Sequence, residues 1–340
     1  AEIVSINGNT MDQVVERILP YIPADGENQT RKFDYLKRSF AKYYQLCIEP
    51  KQQTFTIVYK DDRGRETPRV VEGIPPKELY KHIKSTSPQH PPIETRFIDS
   101  SNTCILTISS FRNDLMEKHR INYSFALSQL FIDLGKRFTQ NLIIDLRNNG
   151  GGYSEYGAVL NSYLTDSAFQ YCRDMIVLPF DKSDTAGLDI PETFEGFPSG
   201  IEMEGDQLKW KKHSVLGWRE PSHPTFKGRV FFLINGGCVS TTSEFASVAH
   251  HLNQGIFIGE EVGGSYKGDS GGVLKWVELP NSHIRIRMAM VRYELAVGDL
   301  FDGHGVIPEH LVRPTIKGVK AQKDEVLDYA LGLLQTNDSN

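Results

Sequence analysis

Cysteine is scarce in this chain of 340 residues: Cys47, Cys104, Cys172 and Cys238 stand far apart, with no Cys-x-x-Cys pair and no Cys/His cluster. No zinc ribbon or disulfide framework can be read from that spacing. Cys104 and Cys238 sit in apolar, strand-like runs and read as buried inert thiols. Long apolar runs are missing as well. Val230 to Ile234 is among the longest, far short of the roughly 20 residues a bilayer-spanning helix needs, so no transmembrane segment is expected. A basic excess is also absent. With 38 Lys and Arg against 43 Asp and Glu, the net charge is -5 and no block of like charge occurs, which argues against a nucleic-acid partner. The opening Ala-Glu-Ile-Val-Ser-Ile-Asn-Gly has neither an initiator Met nor a positive n-region. Because a strand pattern starts at once, part of the natural protein is expected to precede Ala1.

What remains is ordinary globular material, 39% hydrophobic and 24% charged, of a length that suits two domains or one large domain with an appendage. Residues 1–75 read as a small α/β unit. It has a strand at Glu2 to Ile6, an Asn7-Gly8 turn, helical spacing over Met11 to Leu19 and Lys32 to Leu46, and a hairpin from Thr54 to Val71. The order of a strand ending in Ile-Asn-Gly, a helix and a hairpin resembles the later part of a PDZ domain. Residues 76–100, with Pro76, Pro88, Pro91 and Pro92, have linker composition. From 101 to 340, strands at Cys104 to Ile108, Asn141 to Leu146, Val230 to Ile234 and Ile256 to Gly259 alternate with helical stretches. Hairpins follow from Gly272 to Val297, so an α/β layered fold is expected. Ser183 to Pro224 reads as a long polar excursion.

Two glycine turns stand out. Asp145-Leu146-Arg147-Asn148-Asn149-Gly150-Gly151-Gly152 ends an apolar strand before a helix, and its glycines let backbone N–H groups converge on an oxyanion. No Gly-Lys-Ser/Thr or Gly-x-Gly-x-x-Gly spacing accompanies it, so a nucleotide loop is not indicated. Asn235-Gly236-Gly237-Cys238-Val239-Ser240-Thr241-Thr242-Ser243-Glu244 repeats the plan. Ser240 stands there at a strand-to-helix turn, suited to a nucleophile or, alternatively, to a helix cap with Glu244 closing a capping box.

Together the two runs resemble the tail-specific, carboxy-terminal processing proteases, the S41 serine peptidases. Gly259-Glu260-Glu261-Val262-Gly263-Gly264 and Asp302-Gly303-His304-Gly305-Val306-Ile307-Pro308-Glu309 follow in the family's order, with Glu309 where Asp is usual. The resemblance implies a ClpP/crotonase-like core, with Ser240 as nucleophile and the N–H groups of Thr241 and of Gly151 or Gly152 as oxyanion hole. Ser240 lies one residue further from Glu244 than the family spacing has it, which makes Thr241 the fallback. The family's lysine position falls on Ser265, and Lys267 is the nearest candidate base. A related branch uses a His from an upstream segment, oriented by a carboxylate for which Glu294 and Asp299 are candidates. Gly268-Asp269-Ser270-Gly271-Gly272 matches the chymotrypsin serine signature, but His250 is too close to Ser270 for that fold.

The implied function is a serine endopeptidase acting on polypeptides without metal or cofactor, exported to the periplasm or cell envelope. The alternatives are a catalytically degenerate peptide- or lipid-binding relative of the same fold, and a crotonase-like thioester enzyme.

Overall fold

Three runs, Thr103–Ile108, Asn141–Asp145 and Arg229–Ile234, carry aliphatic residues on both sides of the strand. Only a sheet covered on both faces can bury such runs. They lie parallel at the centre of a six-stranded sheet ordered His310–Leu311, Ile256–Gly259, Arg229–Ile234, Asn141–Asp145, Thr103–Ile108 and Ile93–Ile98. The last strand is antiparallel to its neighbour. The computed structural model describes residues 2–336 apart from 62, 76, 80, 82–89 and 179–199.

Strand alternation decides which helix meets which residue. Cys104, Leu106, Leu142, Ile144, Phe232 and Ile234 face the helices Tyr123–Lys136, Ser154–Ser162 and Thr241–His251. Ile105, Ile143, Phe231, Leu233 and Ile258 face Val326, Ala330 and Leu334 of the helix Glu325–Thr336. Arg147 ties that helix down, its guanidinium 2.6 Å from Asp145 and 2.7 Å from Asp324.

A second, antiparallel sheet is ordered Ile201–Glu204, Gln207–Trp210, Cys172–Val177, Arg285–Leu295 and Gly268–Glu278. Met175, Val177, Val291, Tyr293 and Leu295 pack with Ala158 and Val248, which fixes this sheet over the helices Ser154–Ser162 and Thr241–His251. The strand Gly268–Glu278 is therefore positioned with its first residues beside the start of the second helix.

The N-terminal unit has its own sheet, ordered Asn9–Thr10, Glu2–Ile6, Thr54–Lys60 and Glu66–Glu72, with helices Met11–Ile18 and Gln29–Cys47. Ile6, Val14, Ile18, Ile22, Leu36 and Tyr44 form its core. Thr10 and Gln13 close a capping box on the first helix, and the turn at Asn7 and Gly8 runs through positive φ, 48° and 80°.

Two segments differ from the sequence expectation. Ile93–Ile98, placed in the linker, is an edge strand; Pro91 and Pro92 before it and the polar Glu94, Thr95 and Arg96 hide its pattern. The excursion from Ser183 falls outside the described residues as far as 199, and 201–210 forms a hairpin.

Candidate active site

Parallel strands bring their carboxyl ends to one edge, and the loops that leave them meet there. The loop after Asn141–Asp145 and the loop after Arg229–Ile234 are stitched together. The Asn148 N–H donates to Asn235 Oδ1 at 2.9 Å, the Val239 N–H to the Asn149 carbonyl at 3.3 Å, and the Cys238 thiol to the Leu146 carbonyl at 3.1 Å. Buried Asn149 also donates to the Ile108 carbonyl at 2.9 Å, while its Oδ1 takes the Gly151 N–H at 2.9 Å. This contact leaves the Gly151 N–H turned into its own loop. The parallel bridge between Phe111 and Gly152 uses the Gly151 carbonyl and the Tyr153 N–H, so the Gly152 N–H stays outside it.

Ser240 sits between the strand and the helix Thr241–His251 with φ 55° and ψ −134°, close to a region that only glycine populates freely. It makes no side-chain cap; its carbonyl takes the Ser243 hydroxyl at 2.8 Å and the Glu244 N–H at 2.9 Å. The cap reading of Ser240 therefore fails geometrically. Ser240 and the Asp269 carboxylate line the same cleft, and the hydroxyl is near enough to favour the ionised carboxylate. Thr241, the first residue of the helix, has an N–H with no intrahelical acceptor. Its own hydroxyl is fully buried and donates to the Gly152 carbonyl at 3.1 Å. Gly151 approaches so closely that a Cβ there would stand 2.8 Å from Ser240 Cβ and 2.9 Å from Thr241 N.

Two carboxyls lie behind the serine. Asp269, half-buried, is held above the usual carboxylate range by desolvation first and the charge of Asp25 second, with the nearby Ser240 hydroxyl opposing. Glu244 is 2% exposed, turned inward from the helix, and accepts the Ser154 hydroxyl at 3.2 Å. Burial, then the Asp269 charge, raises its pKa. The proton Glu244 takes up on folding makes stability greatest below about pH 4 and lost as pH rises toward its folded value. Glu244→Gln is therefore expected to raise stability by roughly 2 kcal/mol at neutral pH. In thermal melts the gain should vanish near pH 4; a destabilised variant at neutral pH would contradict this reading.

Ser240, Asp269 and Lys267 line one open cleft of about 680 Å³, together with Asp25, Arg173, Arg292, Glu294 and Asp299. Lys267 Nζ is 3.1 Å from Asp302 and 3.4 Å from Asp299, and bonding to Asp302 raises its pKa. Such an ammonium keeps its proton, whereas a lysine base needs burial away from acids. Glu294 is spanned by Arg173 at 3.0 Å and Arg292 at 2.7 Å, and the Asp299 side chain is almost fully exposed. Of the residues singled out from sequence, Ser240, Thr241, Gly151 and Gly152 gather at one point, while Lys267 shares the cleft with its charge already engaged. Asp269 was missed. Its sequence signal lay in the Gly-Asp-Ser-Gly-Gly run, read only as a chymotrypsin look-alike. Glu309 has a structural task, accepting the Phe257 N–H at 2.7 Å.

The model of peptidase family S41 matches residues 102–312. Among solved structures, an alanine mutant of CPAF is 14% identical with a TM-score of 0.61, covering 94% of this chain and 74% of its own. Mature CPAF complexed with lactacystin gives 14% and 0.61, over 98% of this chain and 76% of its own. A Parabacteroides merdae protein described as a candidate peptidase is 17% identical over 95% of this chain and 88% of its own, with a TM-score of 0.48. No curated protein matches in sequence. At this identity the likeness to the two CPAF structures speaks for the fold alone. The family match, which spans well over half of the chain and includes both glycine turns, speaks for more: the chain belongs to peptidase family S41 and is a serine-type peptidase.

Proposed function

We propose that the chain is an endopeptidase of the tail-specific, carboxy-terminal processing type, with Ser240 as its nucleophile. The observation that carries this reading is the strained turn at Ser240, which sets the serine in the cleft it shares with Asp269, beside the Thr241 N–H and packed against Gly151. Ser240 Oγ attacks the scissile carbonyl and its proton passes to the Asp269 carboxylate. The N–H groups of Thr241 and Gly152 stabilise the oxyanion as the C–O bond forms. Asp269 then returns the proton to the leaving amine as the C–N bond breaks, and water releases the acyl group by the same path. An extended substrate is supported by the strand Gly268–Glu278, the last of its sheet, whose first residues line the cleft. A periplasmic or envelope location rests on the family resemblance.

The base assignment is tested by labelling with a fluorophosphonate, which needs no known substrate. Lys267→Gln is expected to keep the labelling rate of Ser240 within a few-fold, and Asp269→Asn to lower it by roughly 10²-fold or more. Loss of labelling in Lys267→Gln with full labelling in Asp269→Asn would hand the role of base to the lysine.

A further inference from the structure

The loop before the helix Gln29–Cys47 belongs to the N-terminal unit, yet it is built into the rim of the cleft. Asn28, fully buried, caps that helix through its Oδ1, which takes the Arg31 N–H at 2.9 Å, and reaches across to the core with Nδ2, donating to the Val262 carbonyl at 2.6 Å. The Thr30 hydroxyl donates to the Glu261 carbonyl at 2.8 Å and the Glu27 N–H to the Gly303 carbonyl at 2.8 Å. Glycines allow the approach. A Cβ on Gly26 would meet the Gly303 oxygen at 2.2 Å, and one on Gly236 the Thr30 oxygen at 2.2 Å. The segment 25–31 is thus wedged against the loops at 236, 261–263 and 303 that frame the site. Asp25 and Gly26 at its tip line the cleft with Ser240 and Asp269.

We propose that this segment is a working wall of the active centre and Asp25 a positioning residue that acts on Ser240 through Asp269. The inference rests on the assignment of Ser240 and Asp269 above. Around Asp269, Glu244 and the phenols of Tyr171 and Tyr293 lie on the core side. Across the cleft, Lys267 is paired with Asp302, and Arg173 and Arg292 with Glu294. Asp25 has no ion pair among the described residues, so its charge is the uncompensated one facing Asp269. Like charge disfavours the ionised carboxylate, which strengthens Asp269 as a proton acceptor, in line with the direction of its pKa.

The test follows the rate of fluorophosphonate labelling of Ser240 against pH in the wild type, Asp25→Asn and Asp25→Glu. Alongside it, the carboxyl titration of Asp269 is read by infrared difference against Asp269→Asn. Asp25 is exposed, so the variants should fold. Asp25→Asn is expected to move the acid midpoint down by about half a pH unit or more in both readouts and to slow labelling at the plateau by roughly three- to tenfold, with Asp25→Glu restoring both. A midpoint unmoved in both readouts overturns the inference. An infrared shift in a protein whose Ser240 never labels upholds the effect of Asp25 on Asp269 and overturns the serine assignment instead.

Discussion

Ser240→Ala is expected to abolish fluorophosphonate labelling and to lower peptide-bond cleavage by roughly 10³-fold or more, leaving what the oxyanion donors supply alone. The fold should survive, because Ser240 forms no cap and its carbonyl, which takes the Ser243 and Glu244 bonds, is unchanged. The same turn predicts a stability effect. At φ 55° and ψ −134° any Cβ is strained, so Ser240→Gly should be more stable than Ser240→Ala by about 1 kcal/mol in thermal or denaturant unfolding, although both are inactive. An alanine variant with the greater stability would show that the turn is not held in this conformation.

Gly151→Ala carries the second large effect, and it is reached without touching a reacting atom. Gly151 has φ +87°, and a methyl group there would lie 2.7 Å from the Val239 oxygen as well as against Ser240 and Thr241 N. The three contacts are with the turn that presents the nucleophile, so the clash cannot be relieved by rotating a flexible side chain. The two loops must part, which moves the Gly152 and Thr241 donors away from each other. Loss of one oxyanion donor typically costs about 10²- to 10³-fold, and we expect a fall of that order in cleavage and labelling. A stability loss of roughly 2 kcal/mol should accompany it. Activity close to wild type with a lowered melting temperature would mean that Gly151 supports packing alone and that the donors lie elsewhere.

Both residues were reachable from the sequence because glycine turns after apolar strands are local features. Val230 to Ile234 and Asn141 to Leu146 announce buried strands by composition, and their neighbouring turns follow once the strands pair in parallel. The choice between Ser240 and Thr241 was not local. It depends on where the helix starts, and spacing to Glu244 alone pointed to Thr241; the backbone places Thr241 as first helical residue with its hydroxyl buried. Asp269 was harder still. It lies 29 residues after Ser240 on a strand of a different sheet, and only the packing of Tyr293 and Leu295 over Val248 brings it alongside. Glu244 looked like half of a capping box, yet it turns inward because Ser154 and the buried polar site behind Ser240 receive it. Lys267 illustrates the opposite error source: proximity in sequence to the family's lysine position says nothing about Asp299 and Asp302, which the fold delivers from 32 and 35 residues further on. The edge strand Ile93–Ile98 was hidden for a similar reason, since an edge strand shows only one apolar face.

The nucleophile is identified without any known substrate by site mapping of a fluorophosphonate adduct by mass spectrometry on the intact chain, with Ser240→Ala as control. One adduct is expected, on the peptide containing Ser240, absent from the variant and slowed as pH falls through the raised titration of Asp269. An adduct on Thr241 or Ser270, or no adduct at any pH, would contradict the assignment of Ser240.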